Sequence, residues 1–306
     1  MKTLLITHTD LDGISPIILL NLINEKFDYK SIEIHDIETE FEKLFESNIK
    51  EYDIVYICDL TIPESIYDKM ESENINYYVF DHHATHEYAL DNPRVTLVFD
   101  YEGKKTCATE VFYKYLVNTH KELDTPVIRD YVEQVRQLDT FTFESDKGRD
   151  LDIIKEALGK KKFIQSMGRR LKKDGTEFTF SAFEKRFTKI KKEELLRFME
   201  NKETKMFKYL IQGKKCGVVF SENNKSELGN FLSERHPELD LIILIDAASR
   251  ISYRTCKEDC PVNEFASTYG GGGHPKASGS KFNDDNRRKI IEDYFGDIKE
   301  LIEEDN

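Results

Sequence analysis

The sequence predicts an α/β protein in three parts: a doubly wound parallel sheet over residues 1–145, a helical and basic connector over 146–206, and a smaller α/β domain over 207–306. The 306 residues suffice for roughly two domains with a sizeable core. In the first part, short apolar runs alternate with segments of helical periodicity, which indicates the strand-helix units of a parallel sheet. A new pattern of this kind begins at Lys214 and predicts the second domain.

The individual elements follow from these patterns in chain order. Apolar, β-prone runs predict strands over 2–7, 31–37, 53–59, 76–81 and 95–100, and helical spacing predicts helices over 13–27, 38–48, 106–117 and 126–138, with another from about Pro63. The connector is predicted as charged helices that become irregular around 172–179. In the last part, strands are predicted over 216–220, 239–246 and 250–255, and helices over 226–234 and 262–269.

The composition is that of an ordinary globular protein in water. No apolar run approaches the roughly 20 residues that a membrane helix needs. The first eight residues carry one lysine and too short an apolar run for a signal peptide, so we expect a cytoplasmic protein that does not bind membranes. The five cysteines form no Cys-x-x-Cys pair, and we expect them to be reduced thiols.

Charge is distributed unevenly along the chain. The net charge of −13 disfavours a protein that tracks long nucleic-acid duplexes, but it does not exclude small nucleotides. Residues 155–215 hold 19 Lys and Arg against 8 Asp and Glu, a net +11 that leaves −24 for the remainder. Two interpretations fit this segment: a set of solvated helix faces, or a basic strip whose aromatic residues stack on bases. The candidate aromatic residues are Phe163, Phe178, Phe180, Phe183 and Phe187.

Polar side chains follow three of the predicted strands, at the edge where ligands of open α/β sheets bind. His8, Asp10 and Asp12 follow the first strand, Asp59 follows the third, and Asp81-His82-His83 ends the fourth. An aspartate at a single strand end is commonly a helix cap or a turn residue. Because carboxylates and imidazoles occur at three strand ends, we expect a shared site at this edge.

The residue types indicate a metal centre. In His8-x-Asp10-x-Asp12-Gly13, the side chains at alternate positions share one face while the chain is extended, and Gly13 lets the chain turn into the following helix. Carboxylates with a few imidazoles suit Mn²⁺ or Mg²⁺, with Zn²⁺, Co²⁺ or Fe²⁺ as alternatives. Six candidate ligands are too many for one catalytic ion. They fit two ions about 3.5–4 Å apart, which polarise a phosphoryl group and activate water.

These motifs resemble those of the DHH phosphoesterase superfamily. His8-Thr9-Asp10-Leu11-Asp12-Gly13, Asp59, Asp81-His82-His83 and Asp139 occur in the order that this superfamily shows. The run Gly270-Gly271-Gly272-Gly273-His274-Pro275-Lys276-Ala277-Ser278-Gly279 resembles the accompanying DHHA1 module. The segment Val135-Arg136-Gln137-Leu138-Asp139-Thr140-Phe141 is most similar to nano-RNA oligoribonucleases of the B type. The resemblance implies a DHH catalytic domain over 1–145 and a DHHA1 substrate-binding domain over 207–306.

The resemblance implies a role for each matched residue. His8, Asp10 and Asp59 would hold one Mn²⁺, and Asp12, Asp59, His82 and Asp139 would hold the other, with Asp59 as the bridge. Mg²⁺ and Co²⁺ are alternatives for both ions. His83 would contact the scissile phosphate or act as an acid, and Asp81 would orient the neighbouring imidazoles. The spacing of the residues alone does not decide which ligand serves which ion.

The glycine run and the strand before it form a second candidate site. Four glycines can adopt positive φ and direct backbone N–H groups inward as an anion-binding nest, and a flexible hinge is the alternative. Arg250, Ser252 and Arg254 alternate on one face of a strand. By resemblance, the groups that grip the phosphate or base end of the substrate would be Arg254, Gly271, Gly272, Gly273 and His274, with Arg250 as a further candidate.

These expectations combine into one leading function. We expect a two-metal phosphodiesterase of the exonuclease type that cuts oligoribonucleotides of about two to five residues into nucleoside monophosphates. Such short substrates present few phosphates, which agrees with an acidic protein. The alternatives are a phosphatase of 3′-phosphoadenosine 5′-phosphate, a phosphodiesterase of cyclic or linear dinucleotides, and a nucleotide-binding regulator without catalysis. The oligomeric state stays open, and a homodimer is one option.

Overall fold

The chain divides into two compact units, Met1–Lys189 and Ile190–Asn306. The structure, a computed structural model, describes residues 2–23, 26–47 and 49–296. Residues 24, 25 and 48, which belong to two predicted helices, lie outside the described residues, as do residues 297–306 of the predicted second domain.

Five parallel strands form the sheet of the first unit, in the order β2-β1-β3-β4-β5. They are β1 Thr3–Thr7, β2 Phe27–Ser31, β3 Ile54–Cys58, β4 Tyr77–Asp81 and β5 Val95–Leu97, followed by a hairpin of β6 Asp100–Tyr101 and β7 Lys104–Lys105. Successive side chains point to opposite faces, so Leu5 and Tyr56 lie in one core and Ile6 and Ile57 in the other. The predicted α/β class with a parallel sheet is confirmed.

Helices cover both faces of this sheet. They are α1 Leu11–Leu22, α2 Ile37–Glu46, α3 Glu64–Ser72, α4 Ala108–Thr119, α5 Pro126–Asp139, α6 Lys147–Leu158 and α7 Lys160–Arg170. The next helix, α8 Ala182–Glu203, begins in the first unit and continues past Lys189 into the residues of the second. Helices α1 and α4 to α7 supply one core, and α2 and α3 supply the other. A buried hydrogen bond of 2.8 Å between Ser15 Oγ and Tyr131 Oη joins α1 to α5. Residues 171–181 between α7 and α8 are not helical, as the sequence predicts.

The predicted strand over 31–37 is wrong, because the chain forms β2 over Phe27–Ser31 and a 3-10 helix over Ile34–Asp36. β2 lies at the edge of the sheet, where Asp28 and Tyr29 are exposed, so it lacks the apolar alternation of a half-buried strand. The alternation in the predicted range comes from three isoleucines, of which Ile32 and Ile37 are buried as the chain enters α2, whereas Ile34 is exposed.

The second unit contains a mixed six-stranded sheet in the order β12-β13-β11-β10-β9-β8. Its strands are β8 Phe207–Ile211, β9 Lys214–Phe220, β10 Leu241–Asp246, β11 Arg250–Arg254, β12 Gly272–His274 and β13 Ala277–Lys281, and its helices are α9 Lys225–Arg235, α10 Val262–Ser267 and α11 Asp284–Phe295. β9 and β10 run parallel, and the other neighbouring strands run antiparallel. The sequence prediction lacks β8, β12, β13 and α11, because β8 is exposed and β12 and β13 are rich in small residues.

Two smaller cores cover the faces of the mixed sheet. Val262 and Phe265 of α10 pack on one side, and Leu228 and Leu232 of α9 pack on the other. Within the described residues of both units, each helix is too short or too polar to cross a bilayer.

Candidate metal centre

The turn between β1 and α1 places the first polar side chains of the site. Asp10 caps α1 by accepting a hydrogen bond from the Gly13 N–H at 2.8 Å. Gly13 lies in the first turn of the helix, where an added Cβ would lie 2.4 Å from the carbonyl group of His8. Glycine is therefore needed here for the close approach of two backbone segments, and not for the conformational freedom of a turn.

Asp12 is held by the N-terminus of a distant helix. Its carboxylate oxygens accept the N–H groups of Ala108 at 2.7 Å and Thr109 at 2.8 Å, in the first turn of α4. The Thr109 hydroxyl also donates to the Asp12 carbonyl oxygen at 2.7 Å. The unpaired N–H groups and the dipole of a helix N-terminus stabilise such a buried carboxylate. These contacts join residues 96 positions apart, so no local pattern in the sequence indicates them.

Asp59 follows β3 and lies between two imidazoles. Its φ is +59°, and its N–H donates to the Phe80 carbonyl oxygen at 3.0 Å, so the backbone turns out of the strand at this residue. Asp59 Oδ2 lies 3.6 Å from His8 Nδ1, and Oδ1 lies 3.6 Å from His82 Nε2. A single buried carboxylate thus reaches toward ligands from two strand ends, as a bridging ligand must.

Three groups of potential metal ligands form at the carboxyl ends of β1, β3 and β4, and the ligand atoms within each group lie within 4.8 Å of one another. The groups are His8, Asp10 and Asp59; Asp12, His82 and Asp139; and Asp59, Asp81, His82 and His83. His82 Nε2 lies 3.5 Å from Asp139 Oδ2 and 3.8 Å from Asp12 Oδ2. Asp139 is the last residue of α5 and enters the site from that helix. The structure therefore brings together all six residues that were predicted as ligands.

The electrostatics of these groups fit bound cations. Burial and the nearby Asp12 raise the pKa of the Asp59 carboxyl well above its usual range. Burial and Asp12 also raise the pKa of Asp139 to about 8. Asp59 Oδ2 and His82 Nε2 are buried without a hydrogen-bond partner among the described residues. Divalent cations held by these atoms would relieve the repulsion and satisfy both atoms, so the residues could hold metal ions.

His8 and Asp10 show the effect of positive charge at this site. Although burial opposes a charged ring, pairing with Asp10 and Asp59 raises the pKa of His8 to about 10. Burial likewise opposes charge on Asp10, but His8, 3.1 Å away, lowers the pKa of that carboxyl to about 2. In the metal-free protein the imidazolium of His8 thus balances the carboxylates, and it must lose its proton before it binds a metal ion.

Asp81 ends β4 and has a complete set of hydrogen bonds. Its carboxylate accepts the His82 N–H at 2.8 Å and lies 2.7 Å from His83 Nδ1 and 2.6 Å from His86 Nδ1. Although burial raises the pKa of this carboxyl, the bonds to His83 and His86 bring it below its usual value. The carboxylate therefore fixes the Nδ1–H tautomer of His83 and leaves Nε2 of that half-exposed ring for another partner.

Two further residues, His86 and Tyr67, extend the network around Asp81. His86 is fully buried in a 3-10 helix over Ala84–Ala89, and Tyr67 Oη of α3 lies 2.6 Å from His86 Nε2. Because His86 Nδ1 faces the Asp81 carboxylate, the ring is fixed between that carboxylate and the Tyr67 hydroxyl, which forms a hydrogen bond with Nε2. The position of His86 five residues after Asp81 is the one hint in the sequence, and nothing there indicates Tyr67.

The predicted substrate-binding arginines lie on β11 of the second unit. Arg254 Nη2 donates to Ser226 Oγ of α9 at 3.1 Å. The pKa of the Arg254 guanidinium is lowered, mainly by burial and secondly by repulsion from Arg250. An added Cβ at Gly229 would lie 2.5 Å from Arg254 Cγ, so a glycine in α9 makes room for this side chain. Arg250 is exposed at the start of the strand.

The glycine run differs from the predicted anion nest. The N–H groups of Gly270 and Gly271 donate to the carbonyl oxygens of Ser267 and Ala266 at 3.1 and 2.9 Å, so these amides cap α10 and are not available to an anion. The remaining glycines and His274 form the exposed strand β12, which pairs with β13. The nest prediction is wrong for the first two glycines, because the helix end needs their N–H groups.

Three of the five phenylalanines that were candidates for base stacking are buried. Phe163, Phe178 and Phe180 lie in the core of the first unit, so that expectation is wrong for them. Phe183 is 77% exposed, and its ring stacks with Phe187 at a centroid distance of 6.2 Å and an interplanar angle of 14°. Sequence spacing alone does not separate core phenylalanines from exposed ones.

The chain has relatives over nearly its whole length, although no family model matches it. It is 31% identical over 314 residues to oligoribonuclease NrnB of Bacillus subtilis. The alignment covers 95% of this chain and 75% of the relative. It is 24% identical over 366 residues to a 3′,5′-cyclic-nucleotide phosphodiesterase of Helicobacter pylori. That alignment covers 99% of this chain and 98% of the relative. The solved structure of the pGpG-specific phosphodiesterase PggH from Vibrio cholerae shares the fold, with a TM-score of 0.53 and 15% identity over 96% of this chain and 97% of that chain.

Proposed function

The chain belongs to the family of the oligoribonuclease NrnB, and from this premise we propose that it is a metal-dependent phosphodiesterase that hydrolyses short oligoribonucleotides to nucleoside monophosphates. The observation that carries the proposal is the meeting of two groups of His and Asp ligands at one sheet edge, with Asp59 between them. Ligands of open α/β sheets bind at this edge. In the proposal, residues 1–145 carry catalysis, residues 207–306 bind the substrate, and residues 146–206 connect them.

The six ligands are assigned to two divalent ions. His8, Asp10 and Asp59 would hold one ion, and Asp12, Asp59, His82 and Asp139 would hold the other. Mn²⁺ is the first candidate because the set mixes hard carboxylates with imidazoles, and Mg²⁺ or Co²⁺ are alternatives. Bound at these positions, the ions would polarise the phosphoryl group and lower the pKa of the attacking water.

His83 is the side chain that would face the scissile phosphate. Asp81 holds its Nδ1, and 42% of the His83 side chain is exposed, so Nε2 is open to a phosphate oxygen or to the leaving oxygen. Although burial lowers the pKa of His83, pairing with Asp81 raises it above the usual value. A protonated ring in this position can donate a hydrogen bond to the departing oxygen as a general acid.

The second unit would bind the other end of the substrate. Arg254 presents a guanidinium that is anchored on α9, and Arg250 and His274 are exposed cationic or donor groups on β11 and β12. A guanidinium binds phosphate through two parallel hydrogen bonds, which suits the recognition of a terminal phosphate. Of the candidates Gly271, Gly272 and Gly273, Gly272 has open space beside it and would let the substrate approach β12 closely, whereas Gly271 and Gly273 lie against β13.

A time course of products from end-labelled RNA of about two to ten residues with Mn²⁺ tests this function. We expect mononucleotides from the shortest substrates and no release by Asp59→Asn, while the matched control Asp91→Asn, an exposed carboxylate of the same unit, keeps full activity. Mononucleotide release by Asp59→Asn would overturn the metal assignment. An unmodified protein that loads Mn²⁺ but cleaves none of these substrates would overturn the substrate assignment.

A phosphodiesterase of cyclic nucleotides is the second candidate function, which the name of the Helicobacter pylori relative favours. The same ligands and His83 would serve that reaction. A panel of a 3′,5′-cyclic nucleotide, a linear dinucleotide and 3′-phosphoadenosine 5′-phosphate separates the candidates by kcat/KM. A higher value for the cyclic nucleotide, or for the bisphosphate, than for the dinucleotide would overturn the assignment to oligoribonucleotides.

A further inference from the structure

A basic surface on α7 and α8 takes no part in the candidate metal centre. We define the basic surface as the exposed residues Lys161, Lys162, Lys173, Phe183, Lys185, Arg186 and Lys189. Residues 155–189 hold 11 Lys and Arg against 4 Asp and Glu, whereas residues 1–154 carry a net charge of −17. The first unit therefore combines an acidic part, residues 1–154, with a cationic part, residues 155–189.

The cations of the basic surface are not neutralised by the protein itself. Among the described residues, none of its six Lys and Arg side chains forms an ion pair. Three of the four acids in residues 155–189, namely Glu156, Glu177 and Glu184, pair with cations outside the surface. By contrast, most Lys and Arg of residues 2–154 pair with a carboxylate. The positive charge is therefore available to an external anion.

Local packing turns these side chains to the outside of the unit. The ion pair of 2.5 Å between Arg170 Nη2 and Glu184 Oε1 joins the last turn of α7 to the first turn of α8. Glu184 and Thr188 form the buried side of the first turns of α8. Since 3.6 residues make one turn, Arg186 lies opposite them, with Phe183 beside it. Phe183 and Arg186, which are three residues apart, thus share one exposed face.

Phe183 offers a flat apolar ring in the middle of this charge. The ring is 77% exposed and is supported from one side by its stack on Phe187. Surfaces that bind single strands combine cations along the backbone path with aromatic rings on which bases stack. To insert into an anionic membrane, a helix needs a wider apolar face. This exposed face presents one large apolar side chain on α8 within the unit.

We propose that the basic surface binds single-stranded RNA, with its cations on successive phosphates and an unpaired base stacked on Phe183. The inference rests on the proposed function, because oligoribonucleotides are then the substrate, and it adds a contact outside the candidate metal centre. A single strand fits better than a duplex, because the bases of a duplex are stacked on one another and cannot cover the ring.

Fluorescence anisotropy with a labelled single strand of about 12 nucleotides in EDTA measures this binding without hydrolysis. We expect Lys185→Gln/Arg186→Gln to bind more weakly and to lower the slope of log K against log salt by about 1.4, or about 0.7 for each lost phosphate contact. The matched control is Lys26→Gln/Lys121→Gln, which removes two exposed and unpaired cations elsewhere in the described part of the unit and leaves the slope unchanged.

A second pair of variants tests the stacked base. We expect Phe183→Ala to weaken binding about 5- to 100-fold, the effect of losing one stacked base. The control is Phe207→Ala in the second unit, whose ring is 53% exposed and stacks on Tyr209 at 6.1 Å and 15°, much as Phe183 stacks on Phe187. Circular dichroism confirms that each variant is folded.

Dinucleotide hydrolysis with Mn²⁺ is measured on the variants of the basic surface and should be unchanged, because none of the substituted residues belongs to the candidate metal centre. Equal affinities of the surface variants and their controls would overturn the inference, whatever the rate of hydrolysis. Tighter binding of a duplex, or binding to anionic vesicles and not to RNA, would also overturn it. If the unmodified protein binds the single strand through this surface but hydrolyses no RNA, the proposed function is wrong and the inference of RNA binding by the basic surface is still supported.

Discussion

Asp59 and Asp81 lie at the carboxyl ends of neighbouring strands, and their carboxylates have opposite environments. Asp81 accepts the His82 N–H and faces two imidazole nitrogens, which bring its pKa below the usual value. Asp59 Oδ2 has no hydrogen-bond partner within the described residues, and burial with repulsion from Asp12 raises its pKa. The protein satisfies one of these carboxylates itself and leaves the other for a cation.

The backbone explains much of this difference. Asp81 is still part of β4, so its side chain points to a fixed face where the following 3-10 helix delivers His86. Asp59 lies one residue beyond β3 with φ of +59°, so its carboxylate turns toward His8 and His82. Two aspartates at one sheet edge thus differ in how far the protein satisfies their carboxylates, according to which elements surround them.

The largest expected effect is on catalysis. Asp59→Asn should lower kcat/KM at least roughly a thousandfold, because it removes the bridge between the ions and with it several kcal/mol of transition-state stabilisation. Asp81→Asn should cost only about 10- to 100-fold, as is typical when a partner of a ligand is lost. Steady-state kinetics on a dinucleotide measure both values, and equal losses would contradict the distinction.

Substitutions of the two residues that extend the network around Asp81 should lower turnover less than Asp59→Asn does. His86→Asn should lower kcat about 10- to 100-fold and Tyr67→Phe about 5-fold, since each weakens the hold on Asp81 and thereby on His83. Mn²⁺ affinity should stay constant, while the limb of the pH profile that reports His83 should shift. Tyr113→Phe, which removes a hydroxyl bonded to Asp124 away from the site, is the control. A drop in Mn²⁺ occupancy would instead place His86 among the groups that hold the metal.

Stability without metal should change in opposite directions for the two aspartates. Asp59→Asn should raise the melting temperature in EDTA at neutral pH, because it removes a carboxyl whose ionised form burial and Asp12 disfavour in the folded protein. Asp81→Asn should lower stability by about 1–3 kcal/mol, because the amide donor would face His86 Nδ1–H and leave a buried group unsatisfied. Thermal unfolding in EDTA, repeated with Mn²⁺, measures the direction of the stability change for each of the two variants. Destabilisation by Asp59→Asn in EDTA would show that this carboxylate is satisfied without a cation.

The smallest expected effect is a dependence on pH through Asp139. Its pKa is raised to about 8, so between the usual carboxyl range near 3.8 and about 8 the folded metal-free protein holds a proton that the unfolded chain releases. Stability without metal should therefore fall as pH rises through this window, while Mn²⁺ affinity should rise. Denaturant titrations in EDTA and metal titrations at several pH values measure the two slopes. If both pH dependences, of stability and of Mn²⁺ affinity, are unchanged in Asp139→Asn, another group causes them.

The sequence allowed the candidate ligands to be found because parallel strands end at a common edge. His8 and Asp10 could be identified from alternation after an apolar run, and Asp81-His82-His83 from its position at the end of another. The family that these motifs predicted is confirmed by the relative with 31% identity. Asp139 could be included only through the resemblance, because a polar residue at the end of a helix carries no signal of its own.

Errors arose where burial contradicts local pattern. β2 escaped the sequence prediction because an edge strand exposes polar side chains, and Phe163 could not be distinguished from Phe183 because both lie in amphipathic, basic helices. The amides of Gly270 and Gly271 were expected to bind an anion, but the end of α10 uses them. In each case the outcome depends on which neighbour occupies the space beside the residue, and the local sequence does not contain that neighbour.

By itself, the sequence determined the α/β class and the residue types at each strand end, because apolar periodicity and chain direction suffice to bring those ends to one edge. Only the tertiary structure decided what each carboxylate does there. The Asp12 carboxylate accepts hydrogen bonds from a helix N-terminus 96 residues away, and Asp81 faces an imidazole that Tyr67 orients, whereas Asp59 Oδ2 has no hydrogen-bond partner within the described residues. Burial makes these differences large, because a carboxylate that has left water depends entirely on the few groups that folding places beside it.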